Sequence, residues 1–294
     1  MVSTKLPDIQ TFNDKLPELK ENIVLSVNSQ AKYSYPEHRT PYLFVANFHG
    51  KGCYVANQKK IEVSDRYFYF LNNNDKFEIT FKESVPRQTF FILFNTKFID
   101  DCFGSLLKSD EQLLSNPQVS KTEVVIPTVP FSYNASLLGK IFSLSELKHS
   151  KCDRDDLLFE LIADFSLLIN ATKKIINRVP AVKRTTKEEI YTRIFLAMEI
   201  LNDCVSEKKT LDVIAEAVCM NKFHFLANFK RVTGTTPHQY VTQIRLHKAF
   251  DLLQNKHYTV SEVCYMLNFE SLGSFSNLFK KKFFVSPSQI PNIR

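Results

Sequence analysis

Two hydrophobic periods divide the chain. Between residues 22 and 100 the apolar positions fall in short runs: Tyr42-Leu-Phe-Val-Ala-Asn-Phe48, Gly52-Cys-Tyr-Val55, Tyr67-Phe-Tyr-Phe-Leu71, Phe77-Glu-Ile-Thr-Phe81 and Thr89-Phe-Phe-Ile-Leu-Phe94. Aromatic and β-branched side chains of this kind pack well on a pleated surface. Turn formers such as Gly50-Lys-Gly52 and Asn72-Asn-Asn-Asp75 separate the runs. The spacing predicts antiparallel strands in a jelly-roll sandwich or barrel. From about residue 135 the period becomes helical. Leu137, Leu138, Ile141 and Phe142 predict a short helix. Leu157, Leu158, Leu161, Ile162, Phe165, Leu168 and Ile169, followed by Ile175 and Ile176, predict a long one with a single apolar face. Arg178-Val-Pro-Ala-Val-Lys-Arg-Thr-Thr186 then breaks the pattern, which puts a domain boundary between 1–180 and 181–294.

The second domain reads as almost wholly helical, and it repeats itself. Phe225, Phe229, Lys230, Arg231 and Pro237 recur fifty residues later as Phe275, Phe279, Lys280, Lys281 and Pro287. Ile214, Ala215 and Val218 recur as Val263, Cys264 and Leu267 at an offset of 49, so one half is a residue longer than the other. Thr236-Pro-His-Gln239, Thr259-Val-Ser-Glu262 and Ser286-Pro-Ser-Gln289 carry the hydroxyl cap and the acceptor three residues on that start helices. Each half reads as a short helix (212–218; 262–267), a tight turn and a second helix (222–232; 272–283), which is a helix-turn-helix. Residues 238–255 form an amphipathic rod between the halves. Eighteen helical residues span about 27 Å, long enough to hold two reading helices about one duplex turn apart on DNA.

Composition narrows the picture. The chain has 294 residues, 44% apolar and 23% charged, with 26 Phe, 11 Tyr and no Trp, so phenylalanine fills most large core positions. The net charge is +7, and residues 184–294 carry 15 Lys and Arg against 10 Asp and Glu. A basic surface attracts phosphate backbones through counterion release. The six cysteines form no C-x-x-C pair, which argues against a zinc ribbon or dithiol centre. They read as reduced thiols of a cytoplasmic protein. The longest apolar run is far short of the roughly 20 residues that span a bilayer, so no membrane partner is expected.

Ile214-Ala215, Phe229-Lys-Arg231, Gly234, Thr236-Pro237, Arg245-Leu246, Ala249, Leu252-Leu253, Phe269-Glu-Ser271, Ser274-Phe-Ser276 and Phe279-Lys-Lys281 together resemble the DNA-binding domain of AraC/XylS-type transcriptional regulators. The resemblance implies seven helices, starting with one over about 187–205, and two reading helices that enter successive major grooves. By position, Lys222, Phe223, Leu226 and Ala227 would meet bases from the first, and Leu272, Gly273, Ser274, Ser276 and Asn277 from the second. Lys230, Arg231, Lys280 and Lys281 suit phosphates better than bases. Leu226 and Ala227 can touch only thymine methyls, whereas Asn277 can bond adenine through two hydrogen bonds. Asn268 and Phe284 stand where the family often has glycine. Asparagine tolerates left-handed backbone, while Phe284 would be strained there.

The same resemblance implies a cupin-like N-terminal barrel that binds an effector or dimerises. The expected class is therefore α+β: a cupin-like barrel followed by helices, then an all-α domain with two helix-turn-helix units. Expected partners are double-stranded promoter DNA, a second copy of the chain, RNA polymerase in the case of activation, and a small-molecule effector. Tyr42, Phe44, Tyr54, Tyr67 and Tyr69 are candidates to line an effector pocket, although strand aromatics usually form core. No cofactor or metal is expected. A metal-dependent cupin enzyme would need an H-x-H motif, and His38, His49 and His149 form none. That enzyme, with a helical appendage, is one alternative to a regulator. Another is a regulator controlled only by a protein partner or by dimerisation.

Overall fold

The computed structural model describes residues 2–3, 5, 18–82, 84–106, 125–145, 151–205, 207, 209–255 and 257–292. The chain divides into two compact units, Met1–Lys174 and Ile175–Arg294.

Among its described residues the first unit holds ten strands: β1 (Val2–Ser3), β2 (Ile23–Ser29), β3 (Tyr33–Arg39), β4 (Leu43–His49), β5 (Gly52–Ala56), β6 (Lys59–Val63), β7 (Tyr67–Leu71), β8 (Lys76–Phe81), β9 (Arg87–Leu93) and β10 (Phe131–Ser132). They form a six-stranded sheet, β1-β2-β9-β4-β7-β10, and a four-stranded sheet, β3-β8-β5-β6. Apart from the short parallel pair β1–β2, the ladders are antiparallel. This is the double-sheet antiparallel architecture that the spacing predicts. Alternation along the strands builds two aromatic layers. Between the sheets, Tyr54 and Phe77 meet Phe91 with ring centroids 6.0 and 6.1 Å apart. On the opposite face of the larger sheet, Phe44, Phe68 and Phe70 lie 5.2, 5.3 and 5.5 Å from Phe165.

Phe165 belongs to α3 (Lys151–Ile176), which comes after α1 (Thr96–Leu106) and α2 (Ala135–Ser145). The helix α1 begins inside the stretch read as strands, where the β-branched run gives way to Thr96-Lys-Phe-Ile-Asp100. Its first turn is capped by Asn95, whose side chain accepts from the Phe98 amide at 3.0 Å. Lys140 of α2 reaches Asp164 of α3 at 2.9 Å, and Ser136 donates to the same carboxylate at 3.0 Å. Strand β3 carries Pro36 at a register shift between Tyr35 and His38. It is an edge strand, the place where a residue without an amide proton is tolerated.

The second unit contains α4 (Arg184–Asp203), α5 (Leu211–Ala217), α6 (Lys222–Thr233), α7 (Pro237–Gln254), α8 (Val260–Met266) and α9 (Leu272–Phe283). The helix α4 starts three residues earlier than expected. Hydroxyl or amide caps open the next five: Thr210, Asn221, Thr236, Thr259 and Ser271 each accept a hydrogen bond from the amide three residues on. Thr236 with Gln239 and Thr259 with Glu262 complete reciprocal capping boxes. In the third motif the return bond forms, the Ser286 amide donating to Gln289 Oε1 at 2.9 Å, while the Gln289 amide donates to the Ser286 carbonyl at 3.0 Å. The element it opens is a 3-10 helix, Pro287–Asn292, rather than an α-helix. Pro291 explains the difference, since it has no amide to donate to residue 287 and disfavours α geometry at Ile290.

Candidate nucleic-acid interface

The repeat is physical as well as textual. In each half the short helix ends in a Schellman turn with a left-handed residue, Cys219 (φ 53°) or Asn268 (φ 54°). The Met220 amide donates to the Ala215 carbonyl at 2.8 Å, and the Phe269 amide to that of Cys264 at 3.1 Å. The equivalences meet again at the caps Asn221 and Ser271, so Glu270 is the extra residue of the second half. Asn268 thus adopts the geometry expected of it, and so does Cys219, a position that no local pattern marks.

A third helix belongs to each repeat. From α4, Arg193 donates to the Cys219 carbonyl and pairs with Glu189 at 2.6 Å. From α7, Arg245 donates to the Asn268 carbonyl at 3.2 Å and to the Val205 carbonyl at 3.0 Å. An arginine therefore clasps the left-handed turn of both units. Burial pushes the Arg245 guanidinium below its ordinary pKa, and the two carbonyls meet the desolvated charge.

The helix α7 serves both halves. Near its start Tyr240 packs edge-on to Phe229, 5.5 Å between centroids. Further along, Leu246, Ala249 and Leu253 join Val263, Leu267, Phe275 and Phe279 in one buried cluster.

The same positions of α6 and α9 turn inward. Phe225 and Phe229, like Phe275 and Phe279, are completely buried. The expected reading positions lie on the other side. Lys222, Phe223, Ala227, Lys230 and Arg231 are exposed on α6, with Leu226 half-buried. Leu272, Gly273, Ser274, Asn277, Lys280 and Lys281 are exposed on α9, with Ser276 half-buried. Phe223 is 84% exposed, far more than an aromatic residue ordinarily is. Lys222 is not idle: its Nζ sits 2.8 Å from Asp212 of α5. His224, exposed beside Phe223, matches Ser274 in the repeat. The fifty-residue offset would have pointed to it.

The five aromatic pocket candidates of the first unit are all buried, and they do not meet in one place. Phe44 faces α3 through Phe165, and Tyr42 lies near Phe70 on that same side. Tyr54 points between the sheets toward Phe77 and Phe91. Tyr67 and Tyr69 alternate with the helix-facing Phe68 and Phe70, which turns them to the inter-sheet side. They are core residues split between two layers. An open cleft of about 450 Å³ lies elsewhere, lined among others by Asn28, Gln30, Phe48, His49, Gln88 and Phe142. Among the described residues no group of three His, Cys, Asp or Glu side chains is placed to hold a metal, and no helix is long and apolar enough to cross a membrane.

The helix-turn-helix domain family matches residues 214–292. The transcriptional activators RhaS of Salmonella paratyphi B and Salmonella typhimurium are each 24% identical over 258 residues, 87% of either chain. Among solved structures, unsaturated fatty acid-bound ToxT of Vibrio cholerae covers 93% of this chain and 95% of its own at 14% identity and a TM-score of 0.36. An AraC-type DNA-binding regulator from Chromobacterium violaceum covers 34% of this chain and 89% of its own, at 24% identity and a TM-score of 0.33. With paired helix-turn-helix units in place over the residues that the helix-turn-helix domain family matches, and transcriptional activators among its relatives, the chain is similar to DNA-binding transcriptional regulators of the AraC/XylS type.

Proposed function

We propose that the chain reads a promoter with two surfaces, 222–231 on α6 and 272–281 on α9, and that residues 1–180 control how residues 181–294 engage DNA. The observation that carries the reading is the duplicated outward face. Two helices of equal length bury a phenylalanine at two matching positions (Phe225 and Phe229; Phe275 and Phe279) and expose matching positions at 222–224, 227, 230 and 231 and at 272–274, 277, 280 and 281, each ending in a basic cluster. Lys230, Arg231, Lys280 and Lys281 would bind phosphates and set the register, and the residues nearer the helix N-termini would meet base edges.

The chain would act in the cytoplasm as a homodimer. The outward side of α3 supports this, because it leaves Phe159 45% and Leu167 72% exposed. The helix also carries Asp153 in its first turn and Lys173 and Lys174 in its last. A second copy running antiparallel would bring opposite charges together at both ends. As an activator the protein would also contact RNA polymerase, as the activator names of its relatives suggest. Regulation would come through an effector in the first unit. The open cleft beside Phe48 and Phe142, lined by amides rather than carboxylates, is where a small polar molecule would enter.

The test is binding of the full chain to promoter fragments recovered by genome-wide mapping, measured as salt is varied. Phosphate-dominated docking predicts a steep fall in affinity between 50 and 200 mM salt, by about 10³-fold or more for six or more phosphate contacts. A flat salt response, or no recovered sites, would overturn the reading. A light-scattering mass of one chain would overturn the dimer. Placing charge on that face with Phe159→Glu and Leu167→Glu together should convert a dimer to monomer.

A further inference from the structure

The two reading helices differ in chemistry despite their common geometry. On α6 the groove-facing set is Phe223, Leu226 and Ala227, with Lys222 held by Asp212 at 2.8 Å and His224 alongside. On α9 the equivalent positions are Gly273, Ser276 and Asn277, with Ser274 alongside. Apart from Leu272, 46% exposed at the position of Lys222, the α9 face is hydroxyl and amide, whereas the α6 face is mainly hydrocarbon.

An exposed hydrocarbon surface on a DNA-reading helix has a defined complement. In the major groove, thymine alone projects a methyl group, and phenylalanine and alanine side chains pack against it. Hydroxyls and amides instead bond the polar edges, with asparagine matched to adenine. Phe223 stands at the second position of α6, where a reading helix points into the groove. Its ring is 84% exposed, so the fold itself does not use it.

Resting on the assignment of α6 and α9 as reading helices, we propose that α6 recognises a cluster of thymine 5-methyl groups, with Phe223 as the main specificity-determining residue. The helix α9 reads the other half-site by hydrogen bonds, led by Asn277 to adenine. The operator is then chemically lopsided. One half-site is defined by methyl groups and the other by hydrogen-bonding edges, and this fixes the direction in which each chain lies on the DNA.

Uracil scanning tests this with the full-length protein. Operators would first be selected from random duplexes, and each thymine would then be replaced singly by deoxyuridine, which removes only the methyl group. The expected result is a loss of about fourfold in affinity at each thymine under α6, the value of one buried methyl group. Thymines under Ser276 and Asn277 of α9 should show no comparable loss. In Phe223→Ala the penalty for uracil should disappear at one or two of the positions under α6. Uniform tolerance of uracil with specific binding intact would overturn the methyl reading and leave the regulator standing. An equal uracil penalty in wild type and Phe223→Ala would overturn the role of Phe223. Failure to select any operator would instead count against the reading helices themselves.

Discussion

Phe284 at the end of α9 holds the left-handed backbone that Gly234 holds at the end of α6, with φ and ψ of 63° and 7° against 79° and −6°. Both amides bond back to the lysine carbonyl four residues earlier, at 2.8 and 2.9 Å. Left-handed geometry costs a residue with a Cβ about 1–2 kcal/mol. Glycine gives back about 0.5–1 kcal/mol through its freer unfolded chain. The Phe284 ring is 87% exposed, so little burial is lost by removing it. Phe284→Gly should therefore stabilise the protein by about 0.5–1 kcal/mol, read as a higher denaturation midpoint. Gly234→Ala should destabilise it by about 1 kcal/mol or more, although nothing lies within 4 Å of the added Cβ. An unchanged midpoint in both variants would contradict the assigned backbone.

Arg245 bridges the end of α4 and the second turn through two backbone carbonyls. Hydrogen bonds from a charged donor contribute about 1.5–3 kcal/mol, and losing one leaves its acceptor unsatisfied. Arg245→Met should lower stability by about 2–3 kcal/mol and speed amide exchange around Phe269. Arg245→Lys should recover only part of this, because an ammonium cannot reproduce the planar fork. Wild-type stability in Arg245→Met would show that the turn holds itself.

The Lys222–Asp212 pair joins the first residue of α6 to α5, beside the surface proposed to meet DNA. Exposed pairs stabilise folds by at most about 1 kcal/mol, so Asp212→Asn should barely change the melting point. It should release the ammonium for a phosphate, tightening DNA binding and steepening the slope of log affinity against log salt by about 0.9. Lys222→Gln should leave that slope nearly unchanged. A reversed order of the two slopes would mean that Lys222 already grips DNA.

His38 sets a pH dependence in the first unit. Burial against Tyr35 and Phe77 disfavours the imidazolium and outweighs the bond to the Pro36 carbonyl, so its pKa lies below the ordinary 6.5. The folded state then binds a proton less readily than the unfolded one. The associated stability is complete above pH 6.5 and is lost as pH falls through the folded value. Denaturant titrations should show a falling midpoint from pH 6.5 toward 5, flattened in His38→Gln. An identical slope in that variant would assign the effect to other groups.

Much of this architecture is legible in the residues. Strand aromatics announce the sheets, and the offset of fifty aligns α6 with α9 from the sequence alone. The features that escape are carried by contacts distant in sequence. Arg193 and Cys219 are separated by 26 residues and Arg245 and Asn268 by 23, and no local pattern marks an arginine aimed at a distant carbonyl. Tyr42, Phe44 and Tyr54 look like one aromatic stripe, yet Tyr42 and Phe44 share the helix-facing side of the larger sheet while Tyr54, on the smaller sheet, points between the two. Gln289 signals a helix start correctly, while Pro291 changes the kind of helix that forms.

Sharing α7 between both units has a consequence for promoters. Its 18 residues are anchored to one core at Tyr240 and to the other at Leu246, Ala249 and Leu253. The strut cannot stretch or swivel without tearing one anchorage. Inserting a single base pair between the two contacted segments would shift them by about 3.4 Å and rotate them around the duplex axis. Under the proposed reading the packed strut resists that shift, so the regulated sites should tolerate little change of spacing.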